Sequence, residues 1–178
     1  MIEVEVKAKA VPGMREKIES LGAFLVGRET HRDIYFSAPC RDFRKSDEAL
    51  RIRIKEEGAR LTYKGPKLDE ITKSRRELTV EINSPETMEQ ILIGLGFFRA
   101  GAVRKSRTKY RLGEATIALD EVEGLGSFVE VELAGGETWD AEREKVMHIL
   151  RELGAGESIR SSYLEMLLAA TTETGKGC

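Results

Sequence analysis

Two runs in which glutamate alternates with valine, Glu3-Val4-Glu5-Val6-Lys7 near the start and Glu130-Val131-Glu132 near the end, constrain this chain more than any other feature. Successive side chains of a strand point to opposite faces, so each run sets carboxylates side by side on one surface. Like charges that close repel, and glutamate is a weak strand former, so a purely structural strand gains little from the arrangement. A cationic partner between the pairs removes the conflict: a divalent metal, a set of lysines and arginines holding a polyphosphate, or both.

The balance of charge narrows the choice. Lys plus Arg number 29 against 31 Asp plus Glu, with a pI of about 5.9. Duplex nucleic acid gripped through its phosphates would call for a basic excess, so no nucleic-acid partner is expected. Cys40 and Cys178 lie far apart, which indicates neither a disulfide framework nor a zinc site and suits a reducing cytoplasm. No apolar run approaches the roughly 20 residues of a membrane span, and the chain opens on strand pattern rather than a signal-peptide core. The length of 178 residues suits a single domain over 1–170, with a disordered tail at 171–178.

A unit recurs three times: a charged alternating strand, a turn, an amphipathic helix ending in Leu-Gly, then a further element. The first copy has Glu3 onward, a helix from Met14 to Leu21, a stop at Gly22 and a strand at Asp33-Ile-Tyr-Phe36. The second has Glu77 to Glu81, Ser84 as N-cap with Pro85 at the first helical position, Gly96 as stop, and a return strand from Val103 to Leu112. The third has Phe128 to Leu133 and a helix from about Trp139 to Leu153, before a last helix at about Ser158 to Leu168. Trp139 is expected to anchor its helix in the core. Ala49–Lys55 and Arg60–Lys64 form a hairpin, as do the Val103 strand and Ala115–Asp120. The total is about eight strands and four helices, with Gly65–Ser74 as an exposed loop and Gly124-Leu-Gly126 as a hairpin turn.

Every strand with acids or bases on one face has valine, isoleucine or leucine on the other. The apolar stripes of the helices need those apolar faces, which turns the charged faces away from the helices. A flat sheet would leave them in bulk water, whereas a closed barrel would face them inward across a lumen. Segregation favours the barrel: acids gather on the first, fifth and last strands, and bases at Arg51, Arg53, Lys64, Lys105, Arg107, Lys109 and Arg111. Arginine forks and lysine ammoniums suit a polyphosphate, and carboxylates suit Mg²⁺ or Mn²⁺. No Gly-rich phosphate loop of the Walker type is present.

The ordered set Glu3-Val-Glu5-Val-Lys7, Arg51-Ile-Arg53, Thr62-Tyr-Lys64-Gly-Pro66, Arg75-Arg-Glu77, Lys105-Ser-Arg107, Leu119-Asp120, Gly124 through Glu132 and Ser162-Tyr-Leu-Glu165 resembles the CYTH superfamily of triphosphate tunnel enzymes. Within it, Asp33-Ile-Tyr-Phe, Ala-Leu-Arg-Ile-Arg53 and Thr-Tyr-Lys-Gly-Pro-Lys67 are most similar to class IV adenylate cyclases and their archaeal relatives. The resemblance implies an α+β fold with an eight-stranded antiparallel barrel, a charged interior and helices outside. It assigns Glu3, Glu5, Asp120, Glu130 and Glu132 to a divalent metal, and Lys7, Arg51, Arg53, Lys64, Arg75, Lys105 and Arg107 to the phosphates, with Glu77 on the wall. Arg76 and Lys73 compete with Arg75 for its place. Lys7, Lys64 and Asp120 are the expected catalytic groups. The implied activity converts ATP to cyclic AMP and pyrophosphate. The alternatives are hydrolysis of a terminal phosphate of tripolyphosphate, a nucleotide or thiamine triphosphate, and a non-catalytic polyphosphate or nucleotide binder. Self-association into a homodimer follows from the resemblance alone.

His31 and His148 lack a second imidazole or cysteine at ligand spacing and are read as partly exposed structural residues. Tyr35 and Phe36 are read as strand packing, and Lys109 and Arg111 share the parity of Arg107.

Overall fold

Strand order, more than strand count, decides what the charged faces look at. The computed structural model describes residues 2–68, 75–135 and 140–174. In chain order the elements are β1 (Ile2–Lys9), α1 (Met14–Ser20), β2 (Phe24–Ser37), β3 (Ala49–Lys55), β4 (Gly58–Lys67), β5 (Arg75–Ile82), α2 (Pro85–Gly94), β6 (Phe98–Leu112), β7 (Ala115–Val122), β8 (Gly126–Gly135), α3 (Asp140–Glu152) and α4 (Tyr163–Thr174). The eight strands close antiparallel in the order β1-β5-β4-β3-β2-β6-β7-β8. The three acid-bearing strands, β5, β1 and β8, are therefore contiguous staves, and the bases of β4, β3 and β6 look across at them.

The outer faces carry the apolar core. Val4, Val6, Ile117, Val129 and Val131 are fully buried and pack beneath Met14 and Ile18 of α1 and Val146 and Leu150 of α3. On the other flank, Ile34, Phe36, Leu50 and Ile52 pack beneath Leu92 of α2. Burial of such side chains contributes about 1.5–3 kcal/mol each, so the stability of the barrel comes mainly from its outer layer. Ser84 caps α2 by accepting from the Thr87 amide, with Pro85 at the first helical position, as its sequence predicts.

β4 runs on to Lys67, through the start of the segment read as an exposed loop, and β6 begins at Phe98 rather than Val103; β2 and the last helix depart further. β2 runs 14 residues rather than four, because its first half pairs with β6 from Phe24↔Arg111 onward although Phe24, Leu25 and Val26 stay exposed and break the alternation. The last helix starts at Tyr163 rather than Ser158 and runs to Thr174, into the segment expected as a tail. Its start is fixed by a capping box in which the Ser162 amide donates to Glu165 Oε2 (2.6 Å) and the Glu165 amide to Ser162 Oγ (3.1 Å). Trp139, Cys178, most of the loop after Leu68 and the last four residues lie outside the described residues. No described helix is long and apolar enough to cross a membrane.

α4 differs from the other helices in where it begins. Tyr163 inserts at one end of the barrel against Val103, Val122 and Phe128, with its ring edge-on to Phe128 at 5.0 Å between centroids. The close approach needs Gly101, which lies beside an irregularity in the β2–β6 register and has φ +157°; a Cβ there would lie 2.6 Å from Leu164 Cδ1. Gly101→Ala is expected to lower the stability in urea by about 1–3 kcal/mol, and Leu164→Ala in the same chain to recover part of the loss. A Gly101→Ala chain as stable as the parent would show that α4 does not dock there.

Candidate functional site

Closure of the barrel turns the odd-numbered residues of β1, β2, β3, β5 and β6 and the even-numbered residues of β4, β7 and β8 inward. Among them lies a cavity of about 850 Å³. Of the sequence-derived site residues, Glu3, Glu5, Arg51, Arg53, Lys64, Arg75, Glu77, Lys105, Arg107, Glu130 and Glu132 line it. Arg75, rather than exposed Arg76, faces the lumen; Lys73 lies outside the described residues.

The acid wall is crowded. Glu5 and Glu132 are direct cross-strand partners, and Glu3 is within hydrogen-bond reach of both Glu77 and Glu132. Burial, then the neighbouring Glu3 and Glu5, push the Glu132 carboxyl up to about 8. Burial also lifts Glu77, to about 7; Lys64 pulls against this, and Glu3 adds to it. Glu3 moves the other way, because Lys64 and the protons donated by Glu77 and Glu132 outweigh its burial. Lys64 is ion-paired with Glu77 and reaches Glu3 at 3.5 Å.

The basic wall is anchored from beneath. Asp33, which the sequence reading passed over, is 2 % exposed and takes a two-pronged bond from Arg53, with both contacts at 2.7 Å, and a longer one of 3.5 Å from Arg51. The available signal was an acid sharing strand parity with Glu29, His31 and Tyr35. Asp120 does the same for the next pair. Fully buried, it accepts from Lys105 Nζ (2.7 Å), Arg107 Nε (2.7 Å), Arg107 Nη2 (2.6 Å) and Tyr163 Oη (3.0 Å). Burial opposes its ionisation, but Arg107 and Lys105 hold its carboxyl below the usual range. Lys105 is pushed down to about 8, first by burial and then by Arg107. Arg107 also pairs with Glu130 of β8, past the intervening β7.

Asp120 and Lys7 do not line the cavity. Lys7 is fully buried, donates to the Ser161 carbonyl and lies 4.2 Å from the centre of the Tyr163 ring. Both residues tie the start of α4 to the barrel.

At the far end of the lumen a smaller cluster appears. Glu29 accepts from Lys55 Nζ (2.6 Å) and from His31 Nε2 (2.7 Å), and pairs with Lys109 Nζ (2.6 Å). His31 is 3 % exposed, not partly exposed as its sequence context suggests, whereas His148 is exposed. Burial, then Arg53, push the His31 imidazole down to about 3, so it is neutral. Arg111 is exposed and bonds the Glu114 carbonyl. The near end of the cavity is a vestibule lined by Tyr35, Phe43, Phe98, Leu164 and Leu168 together with the charged Arg41, Asp42, Arg44, Glu48 and Arg99.

The family model for the CYTH domain matches residues 1–163. The chain belongs to the CYTH domain family. A Methanocaldococcus jannaschii protein named as a candidate adenylate cyclase is 40% identical over 172 residues, covering 93% of this chain and 98% of that one. A Pyrococcus horikoshii protein of solved structure is 45% identical with a TM-score of 0.89, over 94% of this chain and 99% of that one. A second P. horikoshii structure is 30% identical with a TM-score of 0.81, over 92% and 98%. CYTH triphosphate tunnel proteins are in general metal-dependent and act on nucleotide or other triphosphates.

Among the described residues, no three carboxylate, imidazole or thiol groups are already gathered round one point as a metal cage. The donor set still fits a hard divalent ion: Glu3, Glu5, Glu130 and Glu132 offer only oxygen, and protons now occupy the place of positive charge between Glu3, Glu77 and Glu132. Magnesium-type ions keep open positions for water and substrate oxygens, so a partial carboxylate set suffices.

A pH dependence of stability follows. Below pH 6.5 neutral His31 works in the opposite direction, since its unfolded form binds a proton that the folded form does not. Between about 6.5 and 8 the folded chain holds protons on Glu77 and Glu132 that the unfolded chain, with ordinary carboxyls near 4.5, does not. Stability should therefore fall as pH rises through most of that window, until near 8 the folded chain's loss of the Lys105 proton, which the unfolded lysine keeps, offsets the effect. Adding Mg²⁺ or Mn²⁺ should raise the melting temperature more at pH 8 than at pH 6.5, as scanning calorimetry would measure. A metal response equal at both pH values would contradict the arrangement.

Proposed function

We propose that this chain is a metal-dependent enzyme acting on a nucleoside triphosphate, and that its reaction is cyclisation of ATP to cyclic AMP and pyrophosphate. The observation that carries the substrate class is a cavity whose lining adds the large apolar side chains Phe43, Phe98, Leu164 and Leu168 to its cationic set. An inorganic triphosphate has no use for Phe43, Phe98, Leu164 and Leu168, whereas a nucleoside does. With the nucleoside in the vestibule, the phosphates extend toward Arg51, Arg53, Lys64, Arg75, Lys105 and Arg107. The name of the M. jannaschii relative supports cyclisation over other uses of the same substrate.

In that reaction the ribose 3′-oxygen forms a bond to the α-phosphorus as the bond to the β-phosphate oxygen breaks. The hydroxyl proton departs and pyrophosphate leaves. The arginines already held in line by Asp33 and Asp120 would take up the charge growing on the leaving group without reorganising. Glu3, Glu5, Glu130 and Glu132 would hold Mg²⁺ or Mn²⁺, which would supply Lewis acidity to the reacting phosphate. Asp120 and Lys7 enter this reading as positioning residues, with Lys64 between the acid wall and the phosphates.

Hydrolysis of the terminal phosphate is the second reading. It is favoured by the polar far end, where the Lys55 and Lys109 side chains keep 13% and 29% of their surface exposed, so that water can reach the deep phosphate.

Incubation with ATP and Mn²⁺, followed by chromatography for cyclic AMP and an orthophosphate assay, separates the two; neither product from ATP or any other nucleoside triphosphate would overturn both. Glu130→Gln with Glu132→Gln is expected to reduce turnover by about 10²-fold or more while leaving phosphate affinity nearly unchanged. Undiminished turnover in that double variant would remove the metal role of the β8 pair.

A further inference from the structure

Among the described residues, Asp47 is the one non-glycine residue with a positive φ, 54°. That conformation strains an L-residue where glycine would sit at ease, and it persists only where surrounding contacts hold it. The contacts are specific. Asp47 Oδ2 accepts from the Lys67 amide at 2.8 Å, and Oδ1 pairs with Lys67 Nζ and lies 3.7 Å from Arg75 Nη2. The Asp47 carbonyl accepts from Arg75 Nη1 at 3.4 Å. We infer that Asp47 is a positioning residue for Arg75, holding its guanidinium at the cavity wall for the phosphates of the substrate.

The need for an acid at this point comes from strand pairing. Lys67 and Arg75 are direct partners across β4 and β5, just past the register irregularity between Lys64 and Lys67. Like charges directly opposite repel, and with 9% of each side chain exposed there is little water to screen them. Asp47 supplies the charge between them. Burial opposes its ionisation, but Lys67 and then Arg75 hold its carboxyl below the usual range. Gripping a planar guanidinium through both Nη groups fixes its orientation and leaves further N–H groups for a ligand. Asp33 and Asp120 serve the cations of β3 and β6 from within strands, whereas Asp47 reaches Arg75 from the segment between β2 and β3. That segment also brings Phe43, Arg41 and Arg44 to the vestibule, so one residue ties the vestibule to the phosphate wall.

That Arg75 meets phosphate rests on the proposed function; the grip of Asp47 on Arg75 does not. The sign of the effect separates positioning from simple electrostatics. Removing a carboxylate from the wall makes the cavity more positive, so a field effect alone would tighten the binding of a polyanion, whereas a misplaced guanidinium would weaken it. Titration calorimetry of the metal-free chain with inorganic tripolyphosphate reads the difference. Asp47→Asn tolerates the positive φ and keeps an oxygen for the Lys67 amide, but loses the charge; it should weaken binding about tenfold. Asp47→Gly keeps the φ without the side chain and should show the same loss. In an Arg75→Met chain, Asp47→Asn should have no further effect, because the group it positions is gone. Parent-like or tighter binding in either single variant, a loss undiminished in the Arg75→Met chain, or a parent that does not bind tripolyphosphate would each overturn the inference. An active chain whose Asp47→Asn variant binds like the parent would lose this inference and keep the proposed function. A chain that turns over no nucleoside triphosphate yet shows the Arg75-dependent loss would do the reverse.

Discussion

Opposed charge across a closed lumen is the constraint on which the rest depends. On a flat sheet, the Glu5 and Glu132 pair would repel with only water to screen it, and so would the arginines of β3. The strand order sets Lys64 beside Glu3, past β5, and Arg107 beside Glu130, past β7. Such pairs are weak contributors to stability, since taking both partners out of water opposes their attraction. The apolar outer layer under α1, α2 and α3 supplies the free energy, and the lumen is where it is used to hold charges in fixed positions.

The fixed positions depend on groups behind the wall. Asp33 aligns Arg51 and Arg53; Asp120 aligns Lys105 and Arg107; Tyr163 and Lys7 fasten α4 at the mouth. Each carboxylate serves two cations, so losing one would free two phosphate-facing side chains at once. The two ends of the lumen are unlike each other as a result: one carries large apolar side chains and is shaped by α4, the other is polar and shaped by Glu29.

Much of this was legible in the sequence because strand parity has a period of two and the inward and outward residues differ sharply in chemistry. Glu3, Glu5, Arg51, Arg53, Lys64, Arg75, Glu77, Lys105, Arg107, Glu130 and Glu132 all reach the lumen by that rule. Parity fixes a face, however, and says nothing of depth or partners. It could not show that Lys7 and Asp120 are withdrawn from the cavity, nor that His31 is buried against Glu29. Asp33 was given no site role because the strand was read only from Asp33 onward, which hid its shared parity with Glu29 and His31, and the first half of β2 was missed because its exposed Phe24, Leu25 and Val26 resemble no alternation. The start of α4 depended on a capping box whose serine and glutamate flank the inserted tyrosine.

The near balance of acid and base inside the barrel bears on how a ligand gets there. Once Glu77 and Glu132 are ionised, above about pH 8, the channel has little net charge and casts only a weak field into solvent, so a polyanion should then be captured at rates set by ordinary diffusion and nearly indifferent to ionic strength. The same balance means that a bare polyanion would unbalance the lumen on entry, so it should arrive together with its counterions as one neutral package.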